Sequence, residues 1–264
     1  MHYRDADDAY FEIVENEGAE LFATYSRTQY PLTYRAMFGF CAKTNSLKTG
    51  MFDAIESNNP YVFRVLFRCF CEHYLRFMYI WARFVSEKSD YIGNEYYSFC
   101  GAIEAQEYVS AITMAERLLG NEVVADIKKT ISKLYPEASN LTKNELEHFS
   151  KQFKYRSILR FLAGEQFKFV SKDRPFLAQI VPAYALLSSF VHGGPYTDLE
   201  MAGYSAPQAL SECENDAAVV FLMTASVFMG TAAAVSREHP AVTSISSKVN
   251  RVIQKFIVED GSDS

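Results

Sequence analysis

Residues 60–85 form an almost wholly apolar segment that carries charged side chains at strict four-residue spacing. No other feature of the chain constrains its fold as strongly. The charged residues are Arg64, Arg68, Glu72 and Arg76. In an α-helix each step of four residues turns about 400°, so these side chains lie along one stripe of a rod that is otherwise suited to burial. Because an unpaired charge is very costly to bury, the stripe either forms an internal ion-pair network or lines a site.

The composition indicates a globular protein with an aromatic-rich interior. Hydrophobic residues make up 49% of the 264 residues and aromatic residues 15%, which excludes a disordered chain. Strand signals are scarce, whereas apolar positions recur at helical spacing throughout. We therefore predict an all-α fold, a single multi-helix bundle over residues 1–264. The predicted helices cover residues 7–25, 33–49, 59–86, 95–119, 122–134, 143–162, 174–192, 206–236 (with an interruption) and 246–258.

Charge and cysteine content narrow the classes of partner and cofactor. The net charge of −6 argues against nucleic-acid binding by bulk electrostatics, although a local basic groove is compatible with it. The five cysteines are odd in number and include no CxxC pair, so we predict free thiols rather than a disulfide framework or a zinc site. No other metal-ligand cluster or phosphate-binding glycine loop is present, and we predict neither a metal nor a cofactor.

One segment raises the question of a membrane span. Residues 217–236 carry no charge and are long enough to cross a bilayer. The segment is nevertheless rich in Ala, Thr, Ser and Gly and has few strongly apolar residues, so we predict a central core helix. The expected protein is cytoplasmic and does not contact a membrane.

A second polar stripe lies in the apolar segment 181–197. Tyr184, Ser188 and His192 are spaced four residues apart, and Gly193 follows at the predicted end of the helix. The last turn of a helix favours a cationic side chain, and loop positions after a rigid helix often carry function. His192 is therefore a candidate general acid or base, and Tyr184 and Ser188 are candidate contacts. A capping histidine without a catalytic role has the same pattern.

His73 is a competing candidate for the functional histidine. It stands five residues after Arg68, so the two residues form an Arg-x4-His pattern. Five helical steps place the two side chains about 140° apart around the helix, which separates them unless the helix is distorted or the site is completed by a second subunit. The pattern also arises often by chance.

The ordered set of these motifs resembles a known superfamily. Arg68 and Glu72 in an aromatic helix, Tyr155-Arg156, and then Tyr184, Ser188 and His192-Gly193 are similar to a group of bacterial all-helical proteins that resembles the HEPN superfamily (higher eukaryotes and prokaryotes nucleotide-binding domains). The resemblance covers about residues 59–197. It implies a HEPN-like bundle over that range, with residues 1–58 and 198–264 packed on it as additional helices.

The resemblance also implies a function. Many HEPN members dimerise and act as metal-independent RNases in toxin–antitoxin or phage-defence systems, where an arginine binds the RNA phosphate and a histidine acts on the ribose 2′-hydroxyl. Here Arg68 is the expected arginine, Glu72 its companion, and His192 or His73 the histidine. Arg64, Arg76, Tyr184 and Ser188 are expected around them.

A second interpretation of the same residues is a noncatalytic module. Cys69 follows Arg68 where catalytic HEPN members usually carry a polar residue, and other members of the superfamily serve as binding or scaffolding domains. On this interpretation the helical bundle binds a nucleotide, RNA or a partner protein, as a scaffold or a sensor. Loss of RNA cleavage in an Arg68→Ala variant would favour the enzyme, and an effect on binding or stability alone would favour the module.

Overall fold

The computed structural model describes residues 1–121, 127–164, 174–203 and 205–260, and in these ranges the regular structure is helical, without strands. The prediction of an all-α protein is confirmed. The helices are α1 (Tyr3–Thr24), α2 (Pro31–Glu56), α3 (Pro60–Glu87), α4 (Tyr91–Asn94), α5 (Gly101–Leu118), α6 (Ile127–Leu134), α7 (Lys143–Gln152), α8 (Tyr155–Ala163), α9 (Arg174–His192), α10 (Pro195–Gly203), α11 (Ala206–Val235) and α12 (Thr243–Asp260). A π-helical segment, Glu95–Cys100, joins α4 to α5.

Helix α3 contains the charged stripe, and its sequence defines both of its ends. The Asn59 side chain accepts a hydrogen bond from the backbone N–H of Val62, and Pro60 occupies the first turn, where its missing N–H costs nothing. The helix ends where Lys88 adopts a left-handed conformation with φ of 47°. Between these ends α3 packs against α2, α8, α9 and α11, which is why its apolar residues are largely buried.

The main hydrophobic core draws on residues from both ends of the chain. Helices α2, α3 and α11 form its centre, and α1 and α12 pack against α11. The core residues range from Tyr3 in α1 to Phe256 in α12. A smaller cluster around Phe99 and Leu146 lies beneath α5, α6 and α7. Helices from the segments before residue 59 and after residue 197, α1, α2, α11 and α12, therefore contribute to the same core as α3, α8 and α9. The assignment of the whole chain to one domain remains a prediction.

Helix α11 is the segment that raised the question of a membrane span. Of the helices in the described ranges, it is the one long and apolar enough to cross a bilayer, from Pro207 to Val235. In the structure it is a core helix, with Ala217 and Phe221 fully buried. The predicted interruption is wrong, because α11 is continuous from Ala206 to Val235. The buried hydroxyls of Thr224 and Thr231 donate to carbonyl oxygens one turn earlier, so the helix itself satisfies these polar groups.

The helices of the second half of the chain differ from the prediction at two places. The predicted helix 143–162 is two helices, α7 and α8, because Phe153 turns inward between them and packs edge-on against Tyr79 at a ring-centroid distance of 5.2 Å. Helix α10 is an addition that the sequence pattern did not reveal. The capping box at the start of α7 is confirmed, since Thr142 and Glu145 exchange hydrogen bonds. The predicted start of a helix at residue 122 lies outside the described residues.

Candidate functional site

The charged stripe of α3 winds around the helix instead of facing a single neighbour. Each four-residue step overshoots a full turn by about 40°, so the orientation drifts along the stripe. Arg64, at one end, donates from Nη2 to Glu212 on α11 at 2.6 Å, and its guanidinium lies 5.4 Å from the ring centroid of Phe190. Arg64 therefore contacts both α11, through Glu212, and α9, through Phe190.

Arg68 lies at the contact between α3 and α9. Its Nη1 donates to Oε2 of Glu72 at 2.9 Å, its Nε donates to Oγ of Ser188 at 3.0 Å, and its Nη2 donates to the hydroxyl of Tyr184. The guanidinium also lies 3.5 Å from the ring centroid of Tyr184, a close cation–π contact. Only 13% of the Arg68 side chain is exposed, so its position is determined on three sides by other side chains.

Tyr155 on α8 extends this arrangement by one layer. Its ring stacks on that of Tyr184 with a centroid distance of 3.6 Å and an interplanar angle of 6°. The Tyr155 hydroxyl donates to the carbonyl oxygen of Val181 at 3.2 Å, which connects α8 to α9. Arg68, Tyr184 and Tyr155 thus form three stacked layers from three helices. Tyr155 appeared in the sequence motif, but the sequence did not reveal that it touches Tyr184.

Glu72 connects Arg68 to Arg76. Its Oε2 accepts from Arg68, and its Oε1 accepts from Nη2 of Arg76 at 2.8 Å. Burial alone would raise the pKa of Glu72, but the hydrogen bond from Arg68 and the charges of both arginines outweigh it, so that the pKa lies below its ordinary value. Glu72 is therefore ionised at neutral pH. We refer to Arg68, Glu72, Arg76, Tyr184 and Ser188 as the α3–α9 network.

His73 faces away from this network. Its Nδ1 lies 2.8 Å from the carbonyl oxygen of Cys69, to which it donates, and its ring contacts Phe40 on α2 edge-on at 6.0 Å. Burial lowers the pKa of His73 and so favours its neutral form. Arg68 and His73 lie on different faces of α3, as helix geometry predicts, because Arg68 contacts α9 and His73 contacts α2.

His192 lies at the exposed end of the polar stripe on α9. It is the last residue of the helix, and Gly193 follows in a left-handed conformation with φ of 63°. The N–H of Gly194 donates to the carbonyl oxygen of Ser189 at 3.0 Å, which ends the helix in a Schellman motif. His192 is one helical turn from Ser188, and its side chain is exposed. Solvent and ligands can therefore reach it.

The structure brings together five of the eight predicted site residues. Arg68, Glu72, Arg76, Tyr184 and Ser188 form one network, His192 extends its stripe at the solvent edge, and Arg64 and His73 face other neighbours. Glu212, the partner of Arg64, was not predicted, because nothing in the sequence relates positions so far apart along the chain.

The network holds the guanidinium of Arg68 in place, and the exposed imidazole of His192 lies one helical turn beyond Ser188 on α9. In the described part of the chain no three His, Cys, Asp or Glu side chains are grouped as they would be to hold a metal ion. All five cysteines are free, and burial raises the pKa of the Cys71 thiol next to Arg68 to about 12, so this thiol is unreactive. The groups available for chemistry are therefore a cation, a carboxylate, hydroxyls and a histidine.

These features define the protein as an all-helical bundle with a half-buried arginine–carboxylate–tyrosine network between α3 and α9. The profile of the family of unknown function DUF5677 matches residues 34–201, well over half of the chain, and the protein belongs to that family. The matched range contains every predicted site residue and Tyr155. Comparison with the curated proteins and with the solved structures gives no match.

Proposed function

We propose that this protein is a metal-independent endoribonuclease of HEPN type, acting as a homodimer in a toxin or phage-defence system. The observation that carries the proposal is the placement of Arg68 by Glu72, Tyr184 and Ser188, with His192 one turn further along the same polar stripe. A phosphate-binding cation and an accessible proton-transfer group on adjacent helices are the parts that cleavage of RNA by its own 2′-hydroxyl requires.

In the proposed reaction, the 2′-oxygen of a ribose attacks the adjacent phosphorus. His192 accepts the 2′-hydroxyl proton as the 2′-oxygen–phosphorus bond forms. The bond from phosphorus to the 5′-oxygen breaks, that oxygen takes up a proton from water, and His192 returns its proton to solvent. The products are a 2′,3′-cyclic phosphate and a free 5′-hydroxyl. The guanidinium of Arg68 has five N–H groups, of which three are used within the protein, and the remaining two stabilise the charge that develops on phosphate.

Glu72, Tyr184 and Ser188 are positioning residues in this proposal. They hold the planar guanidinium in one orientation before substrate binds, so that Arg68 loses no further conformational entropy during the reaction. Arg76 stands behind Glu72, and Arg64 and His73 take no part in the chemistry. A lysine cannot reproduce this role, because its single ammonium cannot occupy three directions of a planar fork.

The test is cleavage of total RNA and transfer RNA by the purified protein in EDTA. We expect Arg68→Ala to lower the rate by about 10²–10³-fold, as for other charge-stabilising groups, and His192→Ala by about 10²–10⁴-fold. Arg251→Ala and His148→Ala, which change exposed residues on α12 and α7, are the matched controls and should cleave normally. Cleavage that survives both site variants, in protein shown to be folded, would overturn the assignment.

A noncatalytic binding module is the second candidate, and one observation favours it. Three side-chain contacts and the ring of Tyr184 account for Arg68 without any ligand, and only 13% of its side chain is exposed. In this case the network fixes how α3, α8 and α9 pack, and the protein binds RNA, a nucleotide or a partner protein without turnover. Wild-type protein that is folded, dimeric and silent on RNA in EDTA would support the module.

A further inference from the structure

A cleft of about 720 Å³ lies between the π-helical segment with α5 on one side and α7 on the other. Its volume falls in the range of small-molecule sites. Tyr96, from the π-helical segment, and Phe153, between α7 and α8, line it, and their ring centroids are 5.6 Å apart. Interruptions of α-helices by a π-helical turn occur frequently at functional sites, and this one borders the cleft. The cleft therefore has the size of a ligand site, with the partly exposed ring of Tyr96 in its wall.

The cleft is lined by basic and acidic side chains from α3, α5 and α7 and from the residues that follow α7. Arg76 and Lys154 border it together with Lys143 and Lys151, and Glu147 lies between these two lysines at 3.8 Å from each. That distance exceeds a normal hydrogen bond, so both ammonium groups remain free to turn toward a ligand. The acidic residues of the opposite side, Glu104 and Glu107, belong to α5. A ligand that fits both sides carries an anionic group at one end and hydrogen-bond donors at the other.

Arg76 has unused hydrogen-bonding capacity at this cleft. Its Nη2 donates to Glu72, but its Nε is buried and lacks a hydrogen-bond partner. The great majority of buried hydrogen-bond donors in proteins have an acceptor, so the unpaired Nε–H of Arg76 suggests that a ligand supplies one. The side chain is 28% exposed, which leaves part of the guanidinium accessible from the cleft. Arg76 is thus the residue best placed to receive an anion.

We propose that the cleft is a binding site for a small anionic ligand, whose phosphate or carboxylate group is held by Arg76 and Lys154. The hydrogen-bond donors of the ligand face Glu104 and Glu107, and its body lies against Tyr96. This inference goes beyond the proposed function, because it concerns a different ligand at a different surface and requires no cleavage of RNA.

Binding in the cleft also affects the α3–α9 network. Arg76 donates to one oxygen of Glu72, and Arg68 donates to the other. An anion that draws the Arg76 guanidinium toward the cleft weakens its contact with Glu72 and leaves that carboxylate more fully to Arg68. The cleft is therefore an effector site, and Arg76 transmits its occupancy to Arg68.

The experiment measures binding of inorganic phosphate and of citrate to the full chain by calorimetry, at constant ionic strength and without RNA. We expect saturable binding of at least one anion, and the preferred anion identifies phosphate or carboxylate as the recognised group. Arg76→Gln should weaken binding about tenfold or more, the value of one charge-assisted hydrogen bond. Lys154→Gln should weaken it several-fold, and Lys255→Gln, an exposed change on α12, should leave it unaltered. Glu147→Gln should strengthen it, because the change removes a negative charge from the lining of the cleft.

Two results would overturn the proposal. One is the absence of binding of either anion at tens of millimolar, and the other is unchanged binding in both Arg76→Gln and Lys154→Gln. Lys154 is exposed, so its variant tests the site even if Arg76→Gln does not fold. The side-chain Nε–H resonance of Arg68, followed by NMR during the titration, should shift with the same affinity, and an unmoved signal would refute the effector role. None of these measurements involves RNA, so failure of the anion-site proposal is distinguishable from failure of the ribonuclease proposal.

Discussion

Replacement of Glu72 by alanine is the most direct test of the α3–α9 network, because the chain contains a matched control. Glu72 lies four residues from each of Arg68 and Arg76, and Glu147 lies four residues from each of Lys143 and Lys151. Both glutamates are inside helices, so both substitutions change the intrinsic helix propensity equally. The two sites differ in burial and geometry, and those differences determine the expected energies.

The magnitude follows from the contacts. The bond from Arg68 to Glu72 is 2.9 Å long and joins a 13% exposed side chain to a 34% exposed one, so its loss costs about 1–2 kcal/mol. The bond to the more exposed Arg76 adds about 0.5–1 kcal/mol. We therefore expect Glu72→Ala to lower the free energy of unfolding by about 2 kcal/mol. Glu147→Ala, which removes two exposed 3.8 Å pairs, should lower it by about 0.5 kcal/mol or less.

The effect of Glu72→Ala should depend on pH in a defined direction. The pKa of Glu72 lies below its ordinary value of 4.5 in the folded protein, so the ionised carboxylate stabilises the fold above that value. The stabilisation is lost as the pH falls through the folded-state pKa. The difference in stability between wild type and Glu72→Ala should therefore be constant from pH 6 to 8 and shrink as the pH falls below 4.5.

The assay is equilibrium urea unfolding of wild type, Glu72→Ala and Glu147→Ala at several pH values, with the slope against urea checked for constancy. Equal losses in the two variants would refute the reasoning, because burial and geometry would then not distinguish the two sites. A Glu72→Ala loss that persists unchanged at low pH would also refute it, since the carboxylate charge would not be its cause. A double-mutant cycle with Arg68→Ala isolates the coupling between Arg68 and Glu72.

Three further predictions concern other parts of the fold. Gly93→Ala should destabilise the protein by more than about 2 kcal/mol in thermal or urea unfolding, because its new Cβ would lie 2.3 Å from a backbone nitrogen at the start of α2, whereas Gly203→Ala, with open space around it, should be neutral. Lys48→Ala should lower the unfolding free energy by about 3–5 kcal/mol by leaving Asp7 without its buried cation, and Asp7→Asn in the same background should restore part of it. Burial raises the pKa of Asp216 to about 6, so the folded protein pays to keep this carboxylate ionised at pH 8 but holds it protonated at pH 4. Asp216→Asn should therefore stabilise the protein at pH 8, by on the order of 2 kcal/mol, and leave its stability unchanged at pH 4. Urea unfolding at both pH values tests this difference.

Helix α3 was predictable because its capping residues and apolar periodicity indicate the same helix that burial in the core favours. The Asn59-Pro60 start, the apolar periodicity and the four-residue charge spacing all depend on nearby residues, and all appear in the structure. The split between α7 and α8 was not predictable in this way. There a single aromatic side chain, Phe153, turns into a distant core, and that tertiary contact overrides a sequence that is helical by pattern.

The residues of the candidate site were easier to predict than their grouping. The spacing identified the polar side chains of α3 and α9 correctly, since apolar helices seldom carry a polar stripe without partners. It did not reveal that the stripe divides, because the choice between Glu212 for Arg64 and Ser188 for Arg68 depends on which helices pack on each side of α3. Nor did it reveal the stack of Tyr155 on Tyr184, which requires α8 and α9 to meet.

The contacts that hold Arg68 in place are consistent with both proposed functions, and removal of the Tyr184 hydroxyl distinguishes between them. If Arg68 contributes only to packing, loss of the Tyr184 hydroxyl removes one contact of a half-buried pair while the ring stack on Tyr155 remains, so the consequence is confined to stability. If Arg68 stabilises charge on a phosphate, that contact orients the guanidinium during the reaction. The same small change then lowers the rate by more than it lowers stability, because a preorganised group acts through its orientation. The number of contacts around Arg68 does not distinguish a structural arginine from a catalytic one, whereas the ratio of these two effects does.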